Sequence, residues 1–425
     1  MDFDFYRLEN GVRVILVPMQ GVESLAIGVY VGAGSREETW ETSGLAHFLE
    51  HMVFKGTQKF PTRVQTSILE GYGAIQNGYT YSEAAAYWGK MPADKWKLGL
   101  EVQKELALNP LLRVGDLTKE RRVILEEIHH HDDTPEDKVW EVFYHMRYPS
   151  QSLGWSTLGR PEVIRTIPIA NFRQFHTEHY QAANLVVAMA GLLPPAAELK
   201  DQIDQWFGKL PKTRKLVRST VQSVTKPQVE IVTKPDSAQV HLVLGVNGYT
   251  MADKRRFPLA VLNRVLGYGL SSRLFMEVRE KRGLAYSIYS DYELEVDHGY
   301  FAVGAGVNPA KLTEAVKVIL AGLAKLKRQL VPEDELQRAK EKVRGPLIFA
   351  MENPYYQMEG YAKQALWRPE EIISDDEVIR RVNKVNEKQV QKVAQELFVT
   401  NKLNLAIVGP VEQKEKHKLL KLLKV

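Results

Sequence analysis

His47, Glu50 and His51 bring two imidazoles and a carboxylate together within one short stretch of chain, a set that can hold a divalent metal and activate water. At ~100° per residue a helix places all three on one side, so the histidine nitrogens, one turn apart, can converge on one ion. Zinc takes about four imidazole, thiolate or carboxylate ligands, and a catalytic site keeps one position for water. His47 and His51 would supply two ligands. Glu50 is better used as a general base, because a carboxylate beside an activated water can take its proton as the water attacks a carbonyl.

The element that must position these groups is legible around them. Thr42 or Ser43 can serve as N-cap, Gly56 suits the chain past the last turn, and Leu45, Phe48, Leu49, Met52 and Val53 recur at helical spacing. Phe54 falls in the polar stripe, which argues that the stripe is covered and is not a solvated face. A third ligand can be sought by phase. Asp116 to Ile128 reads as another helix, starting near Asp116 or Thr118, with Leu117, Val123, Ile124 and Ile128 on its inner face. Glu120 and Glu127 project within that stripe, whereas Glu126 points away, beside Lys119 and Arg122. Buried carboxylates are normally paired or metal-bound. An internal salt bridge would account for them alone; with the histidine motif, Glu127 is the natural third ligand and Glu120 an acceptor that could orient a ligand imidazole. The run His129-His130-His131 is a different case, since adjacent helical residues point about 100° apart and cannot all grip one ion.

The inverted order H-x-x-E-H, with Glu120 and Glu127 downstream, resembles the inverted-motif zinc metallopeptidases of the pitrilysin, insulysin and mitochondrial processing peptidase family, in particular its small bacterial members. Further segments are similar to family elements: Gln76 to Glu83 to its Asn-Ala-Tyr-Thr-x-x-Glu stretch, Leu153 to Gly159 to its Leu-Gly-x-x-x-x-Gly turn, and Leu270 to Ser287 to its Arg/Tyr element. The resemblance implies His47, His51 and Glu127 as ligands of one Zn2+ per chain, Glu50 as general base and Glu120 as the carboxylate behind a ligand. It also implies substrate lying along Asn77, Gly78 and Tyr79, with Arg279 and Tyr286 closing over it from the other half. Gly78 stands where the family usually has Ala, and Ala84-Ala85-Ala86 replaces a more polar run, departures that touch subsite shape and leave the chemistry intact.

With 425 residues, 44% of them hydrophobic, the chain can bury the cores of two to four domain-sized units. It has no cysteine, which excludes disulfides and thiolate-bound zinc. Its N-terminal residues lack a basic region followed by an apolar one, and the uncharged stretch 181–197 contains Pro194-Pro195 and is shorter than the ~20 apolar residues of a membrane span. A cytoplasmic protein without a membrane segment is expected. A net charge of +5 does not point to nucleic acid. The basic, leucine-containing tail 414–424 reads as a docked terminal helix.

The order of elements repeats. Strand patterns at Val12–Val17 and Leu25–Val31, the motif helix, further strand and helix patterns and a strand over 184–191 are followed by Val229–Thr233, Val240–Gly245, a helix near 255–267, a strand at Tyr300–Gly306, helices and a strand over 403–409. The expectation is an α+β fold of two tandem, structurally similar domains, each a mostly antiparallel sheet packed with helices: 1–211 metal-binding, 212–227 linker, 228–425 without metal. Where the motif helix should recur, around Leu259 to Gly267, Val and Arg occupy the ligand and base positions. The function that follows is a zinc-dependent endopeptidase acting on peptides or unfolded segments, with a homodimer expected because one chain carries both sets of elements. The alternatives are a non-catalytic scaffold of the same fold and a processing peptidase specific for particular precursors.

Overall fold

The computed structural model describes residues 2–213, 218–222 and 226–425, so parts of the 212–227 linker lie outside the described residues. The chain forms two compact units, each discontinuous in sequence: Met1–Ile128 with Trp155–Ser219 and Ile348–Asp375, and His129–Gly154 with Thr220–Leu347 and Asp376–Val425.

In the first unit, β1 (Asp4–Arg7), β2 (Arg13–Pro18), β3 (Ser24–Val31), β4 (Ile75–Thr80), β5 (Ala85–Pro92) and β6 (Leu185–Gly191) form one sheet in the order β1-β2-β6-β3-β5-β4. Only β2 and β6 run parallel. The central strands are apolar throughout because both faces are covered. Val14, Leu16, Ile27, Val29, Val187 and Met189 pack with Phe48, Leu49 and Met52 of the motif helix. Ile15, Val17, Tyr30, Val186 and Ala188 face Met358, Tyr361, Ala365 and Leu366 of the helix Pro354–Trp367. Buried Arg13 donates to the carbonyls of Ala365 and Leu366, at 3.1 and 2.7 Å, and so satisfies helix-end acceptors that would otherwise be buried alone. The departure Ala84-Ala85-Ala86 is buried, with Ala84 and Ala86 in this second core layer.

The second unit repeats the plan with β7 (Gln228–Thr233), β8 (Val240–Asn247), β9 (Ala285–Leu294), β10 (Gly299–Val307) and β11 (Asn404–Gly409), ordered β7-β11-β8-β10-β9 with β7 and β11 parallel. Its sheet packs against Val139, Val142, Phe143 and Met146 of the helix Pro135–Arg147. Each half of the sequence thus gives a helix to the other half's unit, and the division 1–211, 212–227, 228–425 is crossed twice. The architecture is α+β, two similar units. Lys416–Leu422 forms a helix that buries Leu419, and among the described residues no helix is long and apolar enough to cross a membrane.

Candidate metal centre

The motif helix spans Leu45–Val53 and is buried along most of its length. Neither Thr42 nor Ser43 caps it, as the sequence suggested. Gly44 is the N-cap, at φ +91°, and no side chain of its own turn satisfies the first amides. Glu38 does so from outside: its two carboxylate oxygens accept from Gly44 N (2.8 Å) and Ala46 N (2.7 Å). Burial raises the Glu38 pKa to about 8, opposed by those two hydrogen bonds. Gly159 of the Leu-Gly-x-x-x-x-Gly turn packs against the same cap so closely that a Cβ there would lie 2.3 Å from Gly44 Cα. That turn therefore seats the helix start and admits no side chain at either glycine.

The carboxylate helix, Val114–Asp133, brings Glu120 and Glu127 to the histidines. Its inner face is Leu117, Glu120, Ile124 and Ile128; Val123, expected there, is exposed, because the helix has only a narrow contact stripe. Glu127 Oε1 lies 3.7 Å from His47 Nε2, and its Oε2 lies 3.7 Å from His51 Nε2. Tetrahedral ligands at zinc's usual bond lengths stand about 3.4 Å apart, so these donors are spaced for one ion. Burial, with the neighbouring His51, lowers the His47 pKa to about 3, which keeps its ring neutral and its lone pair available. The His51 ring is fixed from behind. Its Nδ1 sits 2.9 Å from Glu120 Oε1; as the carboxylate only accepts, Nδ1 carries the proton and Nε2 is free to ligate. Lys55 Nζ pairs with the other Glu120 oxygen. Burial pushes the Glu120 carboxyl up, but the contacts with His51 and Lys55 outweigh it and the net shift is down.

Glu50 lies between this set and the sheet edge. Thr80 Oγ1 donates to its Oε2 at 2.8 Å. Burial raises the Glu50 pKa, as does the Glu127 charge, against the opposing influence of Thr80 and His51. A carboxylate held above its ordinary pKa beside a candidate metal-ligand set is suited to accept and return a proton. The Glu127 side chain is 41% exposed and that of His47 only 10%, so the set is reached from the Glu127 side.

Residues 13–160 match the family described as Insulinase (Peptidase family M16), and residues 166–343 match the Peptidase M16 inactive domain. The chain is 33% identical over 408 residues to the uncharacterized zinc protease YmxG of Bacillus subtilis, an alignment covering 95% of this chain and 98% of that one. The chain belongs to peptidase family M16. An uncharacterized zinc protease of Streptomyces coelicolor is 31% identical over 425 residues, covering 97% of this chain and 90% of its own length. Among M16 folds, a protease from Helicobacter pylori matches with TM-score 0.88 at 22% identity, over 96% of this chain and 99% of that chain. The peptidase M16 inactive domain from Pseudomonas fluorescens matches with TM-score 0.89 at 20% identity, over 97% of this chain and 98% of that one. These two speak for the M16 fold alone.

The other M16 elements divide between the units. Asn77, Gly78 and Tyr79 lie on β4, the edge strand, which among the described residues pairs with β5 alone. Asn77 is exposed and its Oδ1 accepts from Gly78 N at 2.9 Å, so its carboxamide occupies a main-chain donor on this strand. Gly78 faces Phe54, whose ring would be 3.0 Å from an added Cβ. Tyr79 points to the opposite face and donates to Glu359 at 3.1 Å. Glu83, the glutamate of the same stretch, is fully buried and paired with Arg36, a structural tie. Arg279, in a π-helical turn, and Tyr286, on β9, are exposed on the second unit, which does not assemble the ligand set. His131 groups with Asp132 and Glu141, but Lys138 bonds both carboxylates, at 2.7 and 2.6 Å. Sequence reasoning missed Glu38, Lys55 and Thr80 as supporting residues. Thr80 was within reach, since alternation from Gly78 puts it on the motif-helix face of β4.

Proposed function

We propose that the protein is a zinc-dependent endopeptidase hydrolysing peptides or unfolded polypeptide segments, with one Zn2+ per chain held by His47, His51 and Glu127. The observation that carries this is the convergence of three ligand atoms, all within 4.8 Å of one another, beside a half-buried Glu50 whose pKa is raised. Bound zinc supplies Lewis-acid polarisation of a carbonyl and a lowered pKa for water. Glu50 takes a proton from the attacking water and returns it to the leaving amine. Glu120 keeps the proton of His51 on Nδ1, so that Nε2 stays available.

Substrate lies extended beside β4, adding a strand to its edge, with main-chain hydrogen bonds giving affinity and loose side-chain preference. Tyr81 N donates to Ala84 O at 2.7 Å. Alternation along an antiparallel ladder then turns the main-chain groups of Tyr79 and Asn77 toward β5 and those of Thr80 and Gly78 toward the open edge. Asn77, Gly78 and Tyr79 belong to this docking strand, and exposed Arg279 and Tyr286 are proposed as substrate-binding groups of the second unit. One chain carries both elements, which supports a homodimer with two equivalent sites; sedimentation at twice the 48.4 kDa chain mass checks it.

The deciding experiment measures bound zinc and cleavage of an unstructured peptide library for the native protein and Glu50→Gln. The expected result is about one zinc per chain in both and turnover in the native protein alone. A native protein that takes up no zinc and cleaves nothing overturns the reading.

A further inference from the structure

Thr80 is the last residue of β4 and has two neighbours of different kinds. Its main chain, by the alternation set by Tyr81 N and Ala84 O, faces the open edge where a strand can add. Its side chain points to the motif helix and donates to Glu50 Oε2 at 2.8 Å. Among the described residues, the Thr80 hydroxyl is the one hydrogen-bond donor to the Glu50 carboxylate. A peptide hydrogen-bonded to the Thr80 main chain restrains the same residue whose hydroxyl holds the base.

We propose that Thr80 is a positioning residue that ties the docking strand to the general base, so that an extended peptide on the β4 edge fixes the Glu50 carboxylate in its proton-accepting orientation. The proposal rests on the reading of Glu50 as the base. It separates the energetics of binding from those of turnover: the β4 edge can accept peptide without the hydroxyl, but a carboxylate freed from it spends less time in the productive geometry. The donor is what matters; the methyl is dispensable.

The test compares native protein with Thr80→Val, which keeps the shape and removes the donor, and Thr80→Ser, which keeps the donor. Zinc content, kcat and KM are measured on an unstructured peptide, and its Kd is measured in Glu50→Gln and Glu50→Gln/Thr80→Val backgrounds. Expected for Thr80→Val are native zinc content, kcat lowered about tenfold or more and KM within about twofold. Thr80→Ser should retain kcat within about twofold, and the two Glu50→Gln backgrounds should bind the peptide equally. The proposal is overturned if zinc-loaded Thr80→Val keeps native kcat, if its loss lies in KM and peptide affinity, or if Thr80→Ser is as slow as Thr80→Val. Glu50 as base is tested separately, since Glu50→Gln that still turns over at the native rate removes that reading, whereas an active Thr80→Val beside an inactive Glu50→Gln removes only this one.

Discussion

The motif helix Leu45–Val53 and the helix Arg256–Leu266 follow corresponding strands, β3 and β8, of two similarly ordered sheets. In both, an edge-strand hydroxyl reaches a polar helix side chain: Thr80 donates to Glu50 at 2.8 Å, and Ser290 donates to Asn263 Oδ1 at 2.5 Å. The tie between helix and edge strand is thus common to the two units and needs no metal. What differs is the acceptor and its surroundings. Asn263 is neutral and 3% exposed, and Val261, Leu262, Val265 and Leu266 around it are core residues. Around Glu50 stand His47, His51 and Glu127. The comparison separates residues that make this fold from residues that make it reactive, and the former can be shared while the latter are confined to one unit.

The most forceful way to break the contrast is to make the first unit as inert as the second. Glu50→Gln removes the titrating group while leaving the three ligand atoms, and turnover should fall by about a thousandfold or more with zinc retained, as metal analysis and peptide assays would register. Loss of zinc together with activity would mean instead that Glu50 helps hold the ion. Glu127→Ala attacks the set itself. Zinc affinity should fall at least about hundredfold, read by competition with a chromophoric chelator, and retention of tight zinc would remove Glu127 from the ligand set.

The same contrast explains what could be read from the sequence. The helical phase of His47, Glu50 and His51, and of Glu120 and Glu127, is local information, so the ligand candidates were legible before any fold was known. Val123 was misplaced because apolar periodicity cannot tell how wide a contact stripe is, and the structure leaves it exposed. The exchange of Pro135–Arg147 and Pro354–Trp367 between units was not legible, since either helix would suit its own half's sheet equally well by pattern. Strand β9 was missed because Ala285–Leu294 interleaves polar and aromatic residues at an edge and buries few of them. Glu38 left no signal: a distant carboxylate that caps a helix obeys no fixed spacing.

Glu38 sharpens the comparison at the level of stability. The second unit's helix begins after Arg255, whose amide donates to Asp253 Oδ1 at 2.8 Å in an exposed local turn. Glu38→Ala leaves two helix-start amides in a buried setting and should cost about 2 kcal/mol, measured by urea unfolding of the metal-free protein. Its pH dependence has a definite sign. Because burial raises the folded Glu38 pKa to about 8, the folded state holds this proton more tightly than the unfolded chain, so the stability it contributes is present in acid and is lost as pH rises through about 8. From pH 6 to 9 the native urea midpoint should fall more steeply than that of Glu38→Gln, which cannot ionise. Parallel slopes would show that Glu38 is already ionised at pH 6.

The smallest expected effect tests how far the reactive set extends beyond its ligands. Lys55 is not itself one of the three candidate ligands; it pairs with Glu120, which in turn holds His51 Nδ1. If the ion pair keeps Glu120 charged and aimed, replacing Lys55 loosens the His51 ring without removing any donor to the metal. Partners behind a ligand typically carry 10–100-fold in metal affinity, and a residue one step further out should lie near the lower bound, about tenfold for Lys55→Met. Lys55→Arg keeps the charge and should recover most of it. Chelator competition reads both, and the unfolding midpoint of the metal-free proteins distinguishes a loosened ring from a damaged fold, because only the latter moves that midpoint. Equal zinc affinity in native protein and Lys55→Met would place the boundary of the reactive set at Glu120, with Lys55 outside it.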